Sequence, residues 1–66
     1  MTPKYPDIHV RLLGQDGNAF MVLGLCQRAA VKAGLPREEI NDFMAEARSG
    51  DYDHLLQTCM NWFTIA

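Results

Sequence analysis

The chain has 66 residues, of which 48% are hydrophobic and 21% are charged, and its formal net charge is −2. This length allows one small domain, residues 1–66, and the composition excludes a disordered chain. No apolar run approaches the roughly 20 residues that cross a bilayer, and the first ten residues lack the apolar centre of a signal peptide. We therefore expect a soluble, cytoplasmic protein.

The N-terminal third predicts an extended segment, a strand and a bend. Prolines favour an extended chain over residues 1–7, and residues 8–13, IHVRLL, alternate in polarity like a half-buried strand. The sequence GQDGN then resembles a phosphate-cradling loop. It lacks the third glycine of a dinucleotide fingerprint and the Lys-Ser/Thr of a P-loop. We interpret it as a turn in which Gly17 takes positive φ and Asn18 caps the next helix.

Three helices and a second strand are predicted in the rest of the chain. The first helix covers 19–33 and stops at Gly34, a residue that suits a left-handed terminus. The second covers 36–49, with Pro36 in its first turn and Gly50 after its end. The third covers 51–60 and is capped by Asp51. Residues 62–65 are aromatic and β-branched, and we assign them to a strand because the strand at 8–13 needs a partner.

These elements predict an α+β domain in which a short two-stranded sheet packs against three helices, in the order β-α-α-α-β. Cys26 and Cys59 fall on apolar faces of the first and third helices. One disulfide between them is an alternative, but we expect buried, reduced thiols because the cytoplasm is reducing.

The charge is divided unevenly along the chain. Residues 1–37 carry five basic and two acidic residues, whereas residues 38–66 carry six acidic residues and one basic residue. The acidic residues of the second part are candidate partner-binding residues on and beside one helix face: Glu38, Glu39, Asp42, Glu46, Asp51 and Asp53. With so few basic side chains among them, their field is not cancelled locally, which favours a basic partner. A purely solvated helix exterior is the alternative.

A secondary contact patch is predicted on the first helix. Met21 and Leu25 lie on its outer strip, one and two turns before the basic side chains of Arg28 and Lys32. The alternative is that another element of this small fold covers the two apolar side chains.

A ligand- or metal-binding module is the alternative from a different functional class. It would be centred on the Asp16–Asn18 loop and His54, and its metal ligands would come from Asp51, Asp53, His54, His9 and Asp7. The spacing matches no zinc site, and no nucleophile accompanies a His–Asp pair. We therefore expect no cofactor, no metal and no catalytic residue.

Two stretches, HVRLLGQDGNAF (9–20) and GDYDHLL (50–56), resemble a family of short, uncharacterised bacterial and phage-associated proteins. The resemblance spans residues 9 to about 58 and implies no activity and no site residues. Small acidic phage proteins include anti-CRISPR inhibitors that imitate nucleic acid, which is an analogy of size and charge.

The sequence therefore predicts a non-catalytic binding or inhibitor protein. Its acidic helix face would dock on a basic, nucleic-acid-binding surface of a protein partner. Direct nucleic-acid binding is not expected, because the basic residues are scattered and lack interleaved aromatics. Membrane binding is not expected either. We expect a monomer or a weak homodimer, and a structural homodimer that extends the sheet through an edge strand stays an alternative.

Overall fold

The computed structural model describes residues 2–12 and 18–65 of the chain. Its elements in chain order are strand β1 (Tyr5–Val10), helix α1 (Ala19–Lys32), helix α2 (Arg37–Ala47), helix α3 (Tyr52–Trp62) and strand β2 (Phe63–Ile65). The predicted α+β class and the order β-α-α-α-β are confirmed. Over the residues described, no helix combines the length and the apolar character that crossing a membrane requires.

The two strands come from opposite ends of the chain and pair in parallel, so the three helices form the connection between them. The register is Tyr5 with Phe63, His9 with Thr64, and Val10 with Ile65, with a shift between Tyr5 and His9. Within the shifted stretch Pro6 has no N–H to offer, but its carbonyl oxygen accepts a 2.7 Å hydrogen bond from the Thr64 hydroxyl. The sheet therefore accommodates a proline without losing contact between its strands.

β1 begins and ends three residues earlier than the predicted strand at 8–13. Alternation of polarity marks Ile8 and Val10, but it does not show where the partner strand lies. β2 has only three residues, and the shifted register carries the pairing back to Tyr5 and forward only to Val10. Part of the predicted extended segment is thus strand, and residue 13 lies outside the described residues.

An aromatic cluster joins the sheet to α2. The ring of Phe43 is fully buried and meets Trp62 and Phe63 edge-on, at centroid distances of 5.5 Å and 5.0 Å. On the other strand, Tyr5 stacks on the same two rings at 5.9 Å and 6.4 Å. Aromatic pairs in such geometries contribute about 0.5–1.5 kcal/mol each beyond their buried area. Phe43 of α2 therefore contacts the two C-terminal rings directly, and these rings connect it to Tyr5 of β1.

The rest of the core comes from one face of each helix and from the sheet. Besides the two phenylalanines, its buried members are Val10, Val22, Cys26, Ala30, Ile40, Ala47, Leu55 and Cys59. In α1 the buried positions recur every four residues, as the predicted apolar face requires, although Ala19 and Ala33 at the ends of that face are exposed.

Both ends of α1 follow the sequence prediction. The Asn18 side-chain oxygen accepts a 3.0 Å hydrogen bond from the Met21 N–H and so caps the helix. At the other end Gly34 takes φ of 85°, and the N–H groups of Gly34 and Leu35 bond back to carbonyls of the last turn. The predicted positive φ of Gly17 lies outside the described residues.

Both ends of α2 differ from the prediction. Pro36 stands at the N-cap of α2 rather than inside its first turn, and the helix ends at Ala47. Gly50 does not take positive φ. Instead, a Cβ atom at this position would lie 2.8 Å from Cβ and Cγ of His54, so the close approach of the histidine requires glycine here.

Helix α3 is capped as predicted but runs longer than predicted. The Asp51 carboxylate accepts a 2.9 Å hydrogen bond from the His54 N–H. The helix continues to Trp62, beyond the predicted end at residue 60, and the chain becomes extended at Phe63, where pairing with β1 begins.

The two cysteines meet across the core. Cys26 of α1 and Cys59 of α3 are free, have no exposed surface, and their Sγ atoms lie 3.4 Å apart. The hydrogen bond to Cys59, followed by burial, raises the pKa of the Cys26 thiol. The predicted location of both thiols inside the core is confirmed.

We expect Asn18→Ala to lower the free energy of unfolding by about 1 kcal/mol, because the Met21 N–H loses its acceptor at the start of α1. Chemical denaturation followed by circular dichroism measures the change. Asn18→Asp keeps an acceptor oxygen and is the control, which should retain most of the stability. Equal stability of the alanine and native proteins would contradict the capping role.

We expect both thiols to react with Ellman's reagent at least about 100-fold more slowly in native buffer than in denaturant, because neither thiol has exposed surface and the reagent reaches it only when the core opens. An exposed cysteine introduced by Gln57→Cys into a Cys26→Ala/Cys59→Ala background should react rapidly in both conditions. Rapid native reaction of either natural thiol would show that the core between α1 and α3 opens readily.

Candidate functional site

Helix α2 presents a row of carboxylates to solvent. Glu38, Asp42 and Glu46 are exposed and recur every four residues, so successive members are separated by about 6 Å along the helix axis. We call these three residues the acidic stripe. Among the described residues, Glu38 and Asp42 make no ion pair. This part of the predicted partner-binding set forms one continuous exposed surface.

Glu39 does not belong to that surface. It is half-buried, its carboxylate lies 2.9 Å from Lys4 Nζ, and it accepts a hydrogen bond from the Tyr5 hydroxyl. Lys4 Nζ also lies 4.3 Å from the centroid of the Trp62 ring. The sequence shows few basic side chains among these carboxylates, but folding brings Lys4 to Glu39, so the charge is offset locally at this position.

Electrostatics couples the members of this small network. Hydrogen bonds from Tyr5 and then Lys4 lower the pKa of the Glu39 carboxyl. The hydrogen bond to Glu39 raises the pKa of the Lys4 ammonium and of the Tyr5 hydroxyl. The ionised carboxylate thus attaches the first residues of the chain to α2, which is a structural role.

Glu46 has partners of its own at the end of α2. Its carboxylate accepts a 3.1 Å hydrogen bond from the Ser49 hydroxyl and lies 3.4 Å from His54 Nε2. His54 Nε2 also donates to the Glu46 backbone carbonyl at 2.9 Å and lies 3.0 Å from Ser49 Oγ. His54 therefore satisfies a carbonyl in the last turn of α2, and its ring helps to fix the turn into α3.

The two remaining predicted carboxylates are exposed at the start of α3 and differ in role. Asp51 is the helix cap described above. Asp53 lies in the first turn, where the helix dipole favours a negative charge, and it makes no ion pair among the described residues. Of the predicted set, Glu38, Asp42 and Asp53 are the carboxylates that the described fold does not use for a specific contact.

The alternative metal site is not assembled. Within residues 2–12 and 18–65, no group of three or more His, Cys, Asp and Glu side chains is placed to hold a metal ion. Asp51 and His54 have structural partners, and His9 lies on β1 in a different part of the surface. Of the alternative ligand loop, Asn18 is the cap of α1, whereas Asp16 and Gly17 lie outside the described residues.

The predicted patch of Met21 and Leu25 is divided by the fold. Met21 is exposed, whereas Leu25 is half-buried and packs against the core. A residue that the sequence analysis did not single out, Phe20, is 88% exposed and is the most exposed large apolar side chain among the described residues. Its position in the first turn of α1, two residues after the helix cap, was the signal, because a first-turn residue has no preceding turn to cover it.

The sequence analysis also did not recognise that four basic residues lie together on one surface. Arg28 and Lys32 of α1 come together with His9 and Arg11 of the β1 end around a shallow depression. The separation of about 20 residues between the two pairs hid this grouping in the sequence. Only the packing of β1 against α1 brings them to one surface.

Comparison with known protein families, curated proteins and solved structures finds no match to this chain. The resemblance to short phage-associated proteins thus stays a prediction, and the residues themselves carry the functional argument.

We expect the native protein to lose thermal stability as pH falls through the acidic range, and Glu39→Gln to lose less. A carboxyl of lowered pKa stabilises the fold above its unfolded pKa of about 4.3, and this contribution disappears as pH falls through the lower folded value. Melting temperatures between neutral and strongly acidic pH measure the effect. The gap between native and Glu39→Gln proteins should close as pH falls.

Glu38→Gln is the matched control for this pH dependence, because Glu38 is exposed and makes no ion pair among the described residues. Removing this charge should change the melting temperature less at neutral pH than Glu39→Gln does, because no ion pair is lost. A gap between native and Glu39→Gln proteins that is independent of pH would contradict the role of the carboxylate charge.

Proposed function

We propose that this protein is a non-catalytic binding protein whose acidic stripe docks on a basic, nucleic-acid-binding surface of a partner protein. In this proposal it acts in the cytoplasm as an inhibitor that imitates nucleic acid, as anti-CRISPR proteins do. The observation that carries the proposal is the regular, exposed row of like charges on α2, in which Glu38 and Asp42 have no ion-pair partner among the described residues.

The fold itself gains little from the central member of the stripe. Aspartate is a poor helix former, and like charges four residues apart destabilise a helix by about 0.2–0.5 kcal/mol per pair. Asp42 lies in the interior of α2 between Glu38 and Glu46, and its only favourable described interaction is a minor attraction at a distance to Lys4. A charge that destabilises the helix, and for which the described residues provide little compensation, supports a role in binding.

The other two members of the stripe, Glu38 and Glu46, differ in how the helix compensates their charges. The positive end of the helix dipole favours Glu38 in the first turn, so its charge has a structural explanation. Glu46 lies near the opposite end, where a carboxylate is disfavoured, and Ser49 and His54 offset that effect. Asp42 is therefore the residue whose substitution tests function with the least structural consequence.

The partner surface that fits this stripe carries several arginines or lysines. Such a partner would be steered to the stripe by long-range attraction, which salt screens over about 8–10 Å. Surfaces that bind a phosphate backbone have this composition. An acidic protein bound there would compete directly with nucleic acid, which connects the stripe to an inhibitory role.

We expect Glu38→Gln combined with Asp42→Asn to weaken partner binding about tenfold while the melting temperature stays close to native, because exposed charges contribute within about 0.5 kcal/mol to stability. Proteins captured from a bacterial lysate on the immobilised chain would be compared between variants. A genuine partner should also be released by a double-stranded DNA oligonucleotide and bind more weakly as salt rises. Glu39 is left unchanged because it holds Lys4 and Tyr5.

The matched control raises the net charge by the same two units elsewhere. Gln27→Lys with Val31→Lys places two positive charges on exposed positions of α1. This control should retain the partner. If the control and the stripe variant lose binding equally, net charge alone governs capture. If neither loses binding, the acidic stripe is only the solvated exterior of α2.

A further inference from the structure

The depression between β1 and α1 has a basic rim. Arg28 and Lys32 project from one side of α1, four residues apart, and His9 and Arg11 approach from the β1 side. All four are exposed, and within the described part of the chain none of them forms an ion pair. Three positively charged side chains therefore surround one small space, and its described lining contains no Asp or Glu.

Its floor is apolar. Val10 is buried, and Leu25 and Ala29 are half-buried beneath the basic rim. The space measures about 230 Å³, which is below the range of about 300–1,000 Å³ that is typical of pockets for drug-sized ligands. A depression of this size and shallowness suits a single apolar side chain supplied by a larger partner rather than a free small molecule.

We propose that this depression is a second docking site, which binds an acidic protein segment carrying one aliphatic side chain. The aliphatic side chain would rest on Leu25 and Ala29, and carboxylates on either side of it would pair with the arginines and the lysine. Guanidinium groups suit this role because they bind carboxylates through two parallel hydrogen bonds. The site is independent of the acidic stripe, since it lies on other elements and has the opposite charge.

The composition of the floor favours a peptide over nucleic acid. Proteins that bind single strands combine basic residues with exposed aromatic rings on which bases stack. The described lining of this depression contains aliphatic side chains and one histidine, but no Phe, Tyr or Trp. An aliphatic floor within a basic rim matches a segment such as glutamates flanking a leucine.

The test uses the full chain and a short capped peptide in which glutamates flank one leucine. Binding is followed by amide chemical shifts in ¹⁵N-labelled protein and by fluorescence anisotropy of the labelled peptide. We expect shifts confined to residues 9–11 and 25–32. Arg28→Gln with Lys32→Gln should weaken binding about tenfold, as the removal of two facing charges predicts.

Three controls separate this site from general charge attraction. Arg37→Gln with Arg48→Gln removes the same charge from exposed positions at the start and the C-cap of α2 and should leave the affinity unchanged. Glu38→Gln with Asp42→Asn changes only the acidic stripe and should not weaken peptide binding. The peptide test therefore stays valid even if the proposed function of the stripe is wrong. A peptide with serine in place of leucine should bind several-fold more weakly if the floor takes part.

Specific results would overturn the assignment. Absence of peptide binding, or equal loss in both arginine-containing double variants, would show that the basic rim is not a docking site. Tighter binding of a single-stranded oligonucleotide of equal charge, with the same loss in Arg28→Gln/Lys32→Gln, would make the occupant a nucleic acid. If the native protein self-associates, and both the stripe variant and the rim variant lose this self-association, the occupant is a second copy of this chain.

Discussion

The pairing of β1 with β2, next to the buried ring of Phe43, is the contact on which the rest of the structure depends. β1 and β2 together supply only a few ladder hydrogen bonds, and a two-stranded sheet is marginal in water by itself. The rings of Trp62 and Phe63 contact both Tyr5 and the buried Phe43, so the sheet is held by burial as well as by its hydrogen bonds. Because the strands are parallel, the chain must cross from one end of the sheet to the other between them, and the three helices form this crossover.

This closure also decides which carboxylates of α2 have a structural role. The N-terminal strand carries Lys4 and Tyr5 onto α2, where both engage Glu39. One helical turn of α2 thus holds a structural carboxylate, Glu39, beside Glu38 and Asp42, which form no ion pair with any described residue. A helical wheel places these residues on nearby sides of the helix and cannot separate them, because the difference arises from a segment more than 30 residues away in the sequence.

The uneven distribution of charge along the sequence becomes a division between surfaces. The acidic stripe lies on α2, and the basic rim is formed by β1 and α1. The core between them is filled by the apolar faces of the helices and by the two facing thiols. In a domain this small, a large share of the apolar side chains is needed for stability. The proposed recognition through exposed charges would leave these apolar side chains available for the core.

The local sequence by itself determined the helices, their order and half of their ends. Asn18, Gly34 and Asp51 act within one turn of their own positions, so short-range hydrogen bonding and backbone sterics suffice to predict them. The apolar spacing likewise placed both cysteines in the core. Tertiary structure decided what depends on distant partners: the bounds and direction of β1, the contact between Gly50 and His54, the capture of Glu39 by Lys4 and Tyr5, and the basic rim. These features result from packing between segments whose proximity no local pattern encodes.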